Sequence, residues 1–334
     1  MRLTTIHNDS KMKLKEYLEN ELLNSDTSIK WPEDYTKAFT GGKECSLLLY
    51  NFLEKKHLVK NGSFTCKPDG LKTAITFTIF SEAYNCYFSA LHLAWNGYIT
   101  ASTILVRRIY ELLVDLLFML HKHNRKRTER FVTYCYIVRY IRLCHLYPGL
   151  NKRQLMKEIK SKWGANLTEM YLRYKNKFGI KENKILQDGK ISHTYQLLGD
   201  WTYNLNQNNR SVSIKQRAEE VGLGDLHYKL SYNIFSAKTH VDSWDIGSKV
   251  RIADAFIQNV VFPIMPRKEE NFMPSLMCGT QYITALFIVL AKIFNFCALS
   301  KEDDSLLKNC KKIKEHDDFK TCFKKVKIQS KSDF

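Results

Sequence analysis

Proline and glycine are scarce, with 6 and 14 among 334 residues. So few backbone breakers exclude a turn-rich sandwich or barrel and favour long helices. The nine cysteines, at 45, 66, 86, 135, 144, 278, 297, 310 and 322, include no Cys-x-x-Cys pair. Zinc-ribbon and dithiol redox spacings are therefore missing, and the adjacent Cys144-His145 lacks the i,i+3 or i,i+4 partners of a tetrahedral site. No metal and no cofactor are expected. The start, "MRLTTIHNDSKMKLKEYLE", has no apolar signal-peptide core. With free thiols, this points to a reduced, cytoplasmic protein.

Long apolar runs are also lacking. Between 274 and 300 the apolar core extends only from Ile283 to Ala291, flanked by Gln281, Lys292 and Asn295. That falls short of the ~20 residues needed to cross hydrocarbon. The stretch 73–99 contains Glu82, Asn85 and His92. Both read as core helices, with no membrane span expected.

Acidic residues are the last shortage: 34 Asp and Glu face 52 Lys and Arg, a formal charge of +18. Such a field steers anionic partners toward the protein, nucleic acid above all. Three basic runs stand out: "HKHNRKRTER" (121–130), "NKRQLMKEIKSKW" (151–163) and "KKIKEHDDFKTCFKKVKIQSK" (311–331). Arg125, Lys126, Arg127, Lys152 and Arg153 are the candidate phosphate contacts, against the plainer reading of solvated helix faces. The partners expected are nucleic acid, RNA in particular, or another protein of the same functional module. Oligomeric state is left open, a homodimer included.

What the chain does have is aromatic and aliphatic bulk, with 18 Tyr and 19 Phe. Its length can bury a large core. Hydrophobic periodicity predicts helices at about 10–24, 43–57, 72–96, 98–122, 126–146, 151–178, 225–242, 247–262, 275–299 and 303–325. "WPEDYTKAFTGG" reads as a connector before the second of these, and Asn61-Gly62 as the turn of a short hairpin. Residues 179–212, polar and irregular, read as a long loop. Ser213 should cap "IKQRAEEVG", with Gly222 at its C-terminal end. The expected fold is all-α, a multi-helix bundle with a small helix-plus-hairpin extension. The division would be 1–70, a main bundle at 71–300 and a basic tail at 301–334.

Two helices carry candidate chemistry. In "ASTILVRRIYELLVDLLFML" (101–120), apolar on nearly every side, Arg107 and Glu111 stand i,i+4, Arg108 three before Glu111 and Asp115 four after it. Charges on so apolar a helix are at least partly buried, and a buried Arg calls for a carboxylate. On the later helix Tyr228, Tyr232, Ser236 and His240 recur every fourth residue. Each such step drifts ~40° around the axis, which carries His240 to the edge of the apolar stripe. A boundary imidazole can act as general acid or base, or serve as a structural donor.

With these residues in place the chain resembles the bacterial domain-of-unknown-function family 5677, over roughly 75–260. That family carries an Arg-x-x-x-Glu helix, a Trp and a later Tyr-x-x-x-Ser-x-x-x-His helix, matched here by Arg107, Glu111, Trp201, Tyr232, Ser236 and His240. The family histidine is usually followed by Pro; here Val241-Asp242 follows. More distantly the chain resembles helical HEPN nucleases and toxins of bacterial conflict systems. That resemblance implies a metal-independent ribonuclease of a defence module, with Arg107, Glu111, Ser236 and His240 catalytic. The alternatives are a non-enzymatic interaction module, in which these residues with Arg108, Asp115, Trp201, Tyr228 and Tyr232 form a structural polar clamp, and an unrelated enzyme for a small anionic substrate.

Overall fold

The computed structural model describes residues 33–60, 63–66, 70–121, 124–147, 150, 152–163, 165–187, 190–197, 199–203, 205–207, 210–224, 227–229, 250–253, 256–260, 272–294 and 304–325. It is an all-α, multi-helix fold carrying three short antiparallel hairpins among the described residues. Two compact units are distinguished: residues 1–121 with 218–334, and residues 122–217.

In the first unit, α1 (Glu33–Lys55) leads through the hairpin β1 (Val59–Lys60) and β2 (Ser63–Phe64) into α2 (Leu71–Trp95) and α3 (Ile99–Leu120). Val59 pairs with Phe64 and Lys60 with Ser63; Asn61-Gly62, expected as the turn, lies outside the described residues. The core forms where α2 and α3 pack on α8 (Phe272–Ile293), with α1 lying on α8 and α2. Phe80, Leu113, Leu117, Leu286 and Phe287 are fully buried there. By length and composition Leu276–Ile293 could cross a membrane; 72% of this stretch is buried inside the protein. Two basic helices complete the unit, α9 (Asp304–Glu315) and α10 (Asp317–Lys325).

The presumed connector "WPEDYTKAFTGG" is a correction: from Glu33 onward it belongs to α1. Gly41-Gly42 does not break that helix, because Gly42 serves close packing. A Cβ built there would lie 2.6 Å from Leu91 Cδ2 and 3.2 Å from the Tyr87 hydroxyl. The helix gives up about 1 kcal/mol of propensity at Gly42, where any larger residue would have to displace the ends of the Leu91 and Tyr87 side chains of α2.

The second unit contains α4 (Asn124–Leu146), α5 (Lys152–Trp163), α6 (Ala165–Tyr174), a 3-10 turn (Lys175–Phe178) and the hairpin β3 (Ile180–Gln187) and β4 (Lys190–Leu197). Ile137, Tyr140, Ile141 and Cys144 recur at three and four residues along α4, burying one face against Leu155, Ile159, Leu167 and Tyr171. Tyr140 and Tyr171 stack with ring centroids 3.9 Å apart. The single helix expected at 151–178 is in fact two helices, α5 ending at Trp163 and α6 starting at Ala165, and a terminal 3-10 turn. The loop expected at 179–212 is corrected over 180–197, an eight-residue hairpin paired from Ile180↔Leu197 to Gln187↔Lys190. Asp188-Gly189, between the strands, is a strong two-residue turn signal.

Helix α7 (Ile214–Val221) is capped as its sequence predicts. The Gln216 amide donates to Ser213 Oγ at 3.2 Å while the Ser213 amide donates to Gln216 Oε1 at 3.0 Å, a reciprocal capping box. Gly222 follows with φ of 86°, the left-handed conformation that ends helices.

The helix expected at 247–262 is corrected to a hairpin of β5 (Val250–Ala253) and β6 (Phe256–Val260). "VRIA" and "FIQNV" are rich in β-branched and aromatic residues, which suit a pleated ribbon better than a helix. The expected helix at 303–325 is broken at His316 into α9 and α10. The predicted helix at 10–24 lies outside the described residues; of that at 225–242 only 227–229 are described, and they are helical.

Candidate functional site

Helix α3 brings Arg107, Arg108 and Glu111 together because residues three and four apart share a helix face. Arg107 Nε donates to Glu111 Oε1 at 3.0 Å, and Arg108 Nη1 approaches Glu111 Oε2 at 3.5 Å. The Arg107 and Glu111 side chains are 14% and 24% exposed and Arg108 is 49% exposed. One carboxylate thus serves two guanidinium groups. Asp115 is half-buried one turn further on. Ser236, His240 and Tyr232 lie outside the described residues, whereas Tyr228 is half-buried and raises the pKa of the buried Tyr110 phenol, second to desolvation.

A buried histidine that the spacing argument passed over lies beside that ladder. His227, 3% exposed, is within hydrogen-bond distance of the Tyr282 hydroxyl through Nδ1 at 3.0 Å. The ring of Phe319 lies 5.0 Å from its centroid, and Tyr110 lies 5.4 Å from Tyr282. Tyr110 in turn donates to the Leu223 carbonyl at 3.0 Å. Its signal in the sequence was only the dipeptide "HY", one step out of phase with the Tyr-Tyr-Ser-His series, and its partners are 55 and more residues away.

Cys45, Cys86, Cys144, Cys278, Cys310 and Cys322 are buried, whereas Cys66 is half-buried and Cys135 exposed. Burial pushes the Cys45 and Cys86 thiols up to about 11, reinforced at Cys86 by Glu82 and opposed by Arg108. Such thiols stay protonated and unreactive at neutral pH.

In the second unit, α4, α5 and α6 present cations outward. Arg125, Lys126, Arg139, Arg142, Arg153, Lys157, Lys160 and Arg173 are exposed, while Arg127 is half-buried. Lys152 starts α5. Arg125 is engaged by Glu129 at 3.0 Å. Aromatic rings interleave with the charges: Lys162 lies 5.2 Å from the Tyr147 ring, and Lys177 4.8 Å from that of Tyr174. Residues 122–217 hold 21 Lys and Arg against 6 Asp and Glu, a net +15 of the +18 carried by the whole chain.

Inside this unit two arginines are structural. Arg130 donates to the carbonyls of Trp201 and Lys177, each at 3.0 Å, and of Tyr203, and its guanidinium lies 4.6 Å from the Phe178 ring. Partial burial lowers its pKa. Arg217 Nη2 donates to Asp200 Oδ2 at 2.9 Å, and Asp200 Oδ1 accepts from the Thr202 amide at 2.8 Å. Trp201 is buried edge-on against Phe131 at 5.6 Å.

No curated protein and no solved structure matches the chain. The α3 cluster and Trp201 fall within residues 73–255, the stretch that matches the model of the Family of unknown function (DUF5677), and with more than half its length inside that match the chain belongs to this family.

Proposed function

We propose that the protein binds nucleic acid, with RNA as the preferred form, through residues 122–217. The observation that carries this reading is the partition of charge: 96 residues hold a net +15, and the other 238 share +3. A basic surface with interleaved tyrosines suits phosphates and the faces of unstacked bases. Counterion release makes such binding fall steeply with salt.

The test is fluorescence anisotropy with a labelled single-stranded RNA 20-mer. Lys126→Glu combined with Arg153→Glu should weaken binding at least tenfold and flatten the salt slope, whereas Lys308→Glu combined with Lys312→Glu in the other unit should change it less than twofold. Equal losses in the two double variants, or no binding by wild type at 50 mM salt, would overturn the reading.

A second reading rests on the α3 cluster, where Glu111 holds the largely buried Arg107. Arg107 would then stabilise a phosphorane, with Glu111 orienting it, His240 exchanging the proton, and Ser236 and Tyr232 positioning His240. This describes a metal-independent ribonuclease, and a defence module is its natural setting. Here His240→Ala and Arg107→Ala should each lower RNA cleavage by at least ~10²-fold. Cleavage by neither wild type nor variants, or by all equally, removes it.

A further inference from the structure

The third basic run, at the end of the chain, takes no part in either reading above. Folded, it does something its linear form does not show. Helices α9 and α10 turn back at His316, so Lys314 in the last turn of α9 meets Lys320 and Lys324 of α10 beside the C-terminal end of α8. There they line a cavity of about 220 Å³ together with Lys292, Ile288 and Phe323. Among the described residues four of the six that line it are lysines and none is a carboxylate.

All four lysines are exposed, so their cations are open to a ligand arriving from solvent, and partial desolvation, followed by the charge of Lys314, lowers the pKa of Lys292. The neighbouring acid Glu315 is directed to Lys311 at 4.0 Å. Ile288 and Phe323 give the cavity an apolar wall. Small-molecule sites are concave and mostly apolar, with a few polar groups that fix orientation, and an apolar concavity lined by lysine side chains has that composition.

We propose that this cavity binds a small organic polyphosphate, its phosphates held by Lys292, Lys314, Lys320 and Lys324 and its non-phosphate portion resting on Phe323 and Ile288. The volume is below the range of drug-sized pockets, so the phosphates and the adjoining edge of the ligand fit while the rest projects into solvent. The site belongs to the first unit and does not depend on RNA binding by residues 122–217.

Isothermal titration with ATP and with inorganic tripolyphosphate, both without divalent metal, tests the assignment. Wild type should bind both, and ATP the more tightly. Lys292→Gln combined with Lys320→Gln should weaken both at least tenfold, while Lys308→Gln combined with Lys312→Gln, an equal loss of charge on α9 outside the cavity lining, should leave them within twofold. Phe323→Leu should remove the preference for ATP and keep tripolyphosphate binding. Thermal melting of each variant confirms that it is folded. Dissociation constants above 1 mM in wild type, equal weakening in both lysine pairs, or a cavity variant that loses only RNA binding would overturn the proposal.

Discussion

Replacing Asp200 with alanine should cost about 2–3 kcal/mol of stability, less than the loss of one member of a fully buried ion pair, because the carboxylate is partly exposed while its arginine is buried. The Arg217 side chain is 8% exposed and Asp200 36%, so the cation is the group stranded by the change. Asp200 also accepts from the Thr202 amide and hydroxyl, fixing the loop that seats Trp201. Asp200→Asn retains an acceptor for Thr202 and loses only the charge, so its cost should be smaller, about 1–2 kcal/mol. In a double-mutant cycle, Arg217→Ala should add little once Asp200 is gone. Urea denaturation measures all of these, and an Asp200→Ala midpoint indistinguishable from wild type would show that the pair holds nothing together. On the proposed RNA-binding reading the position has a second role: Asp200 is one of six acids in the basic unit and is paired with Arg217, which leaves the outer cations less neutralised.

Local features were legible in the sequence and distant ones were not. The boundaries of α2, α3 and α4 follow from periodicity and from the "WNGY" and "HKHNRK" interruptions to within about two residues, because helical burial imprints itself on neighbouring positions. The Arg107–Glu111 pair was readable for the same reason: both partners sit on one turn. By contrast Arg130 meets carbonyls 47 to 73 residues away, and His227 meets Tyr282 across 55, separations that no spacing rule addresses. The hairpin at 180–197 had its signal in Asp188-Gly189 and in the alternation of Ile191, Tyr195 and Leu197 along β4, but β3, "IKENKILQ", lacks the alternation that marks a half-buried ribbon. At β5 and β6 the failure was of period, since short apolar runs fit helix and strand alike until β-branching is weighed. The concentration of charge in residues 122–217 could be counted only once the unit boundaries were known, since the basic runs by themselves spread from 121 to 331.

Tyr87 should be the most sensitive position of the first unit. Its side chain is 1% exposed, and its hydroxyl lies 3.1 Å from the Gly42 carbonyl on α1 and 2.8 Å from Thr280 Oγ1 on α8. A phenol has one proton, so donation to Gly42 leaves Thr280 as the donor to Tyr87, in place of its own bond to the Leu276 carbonyl. Three helices are thereby tied at one oxygen. Beside it Tyr84 and Ser46 hydroxyls meet at 2.9 Å, forming a second tie between α1 and α2. Tyr87→Phe should cost about 1–3 kcal/mol, because the Gly42 carbonyl loses this donor in a place water does not reach. Tyr87→Ala adds a cavity and should cost about 3–5 kcal/mol in all, close to the entire stability of many domains. The gap between the two variants separates the polar tie from the packing of the ring. If Tyr87→Phe melts with wild type while Tyr87→Ala does not, the hydroxyl is incidental and α1 is held to α2 and α8 by apolar contact alone.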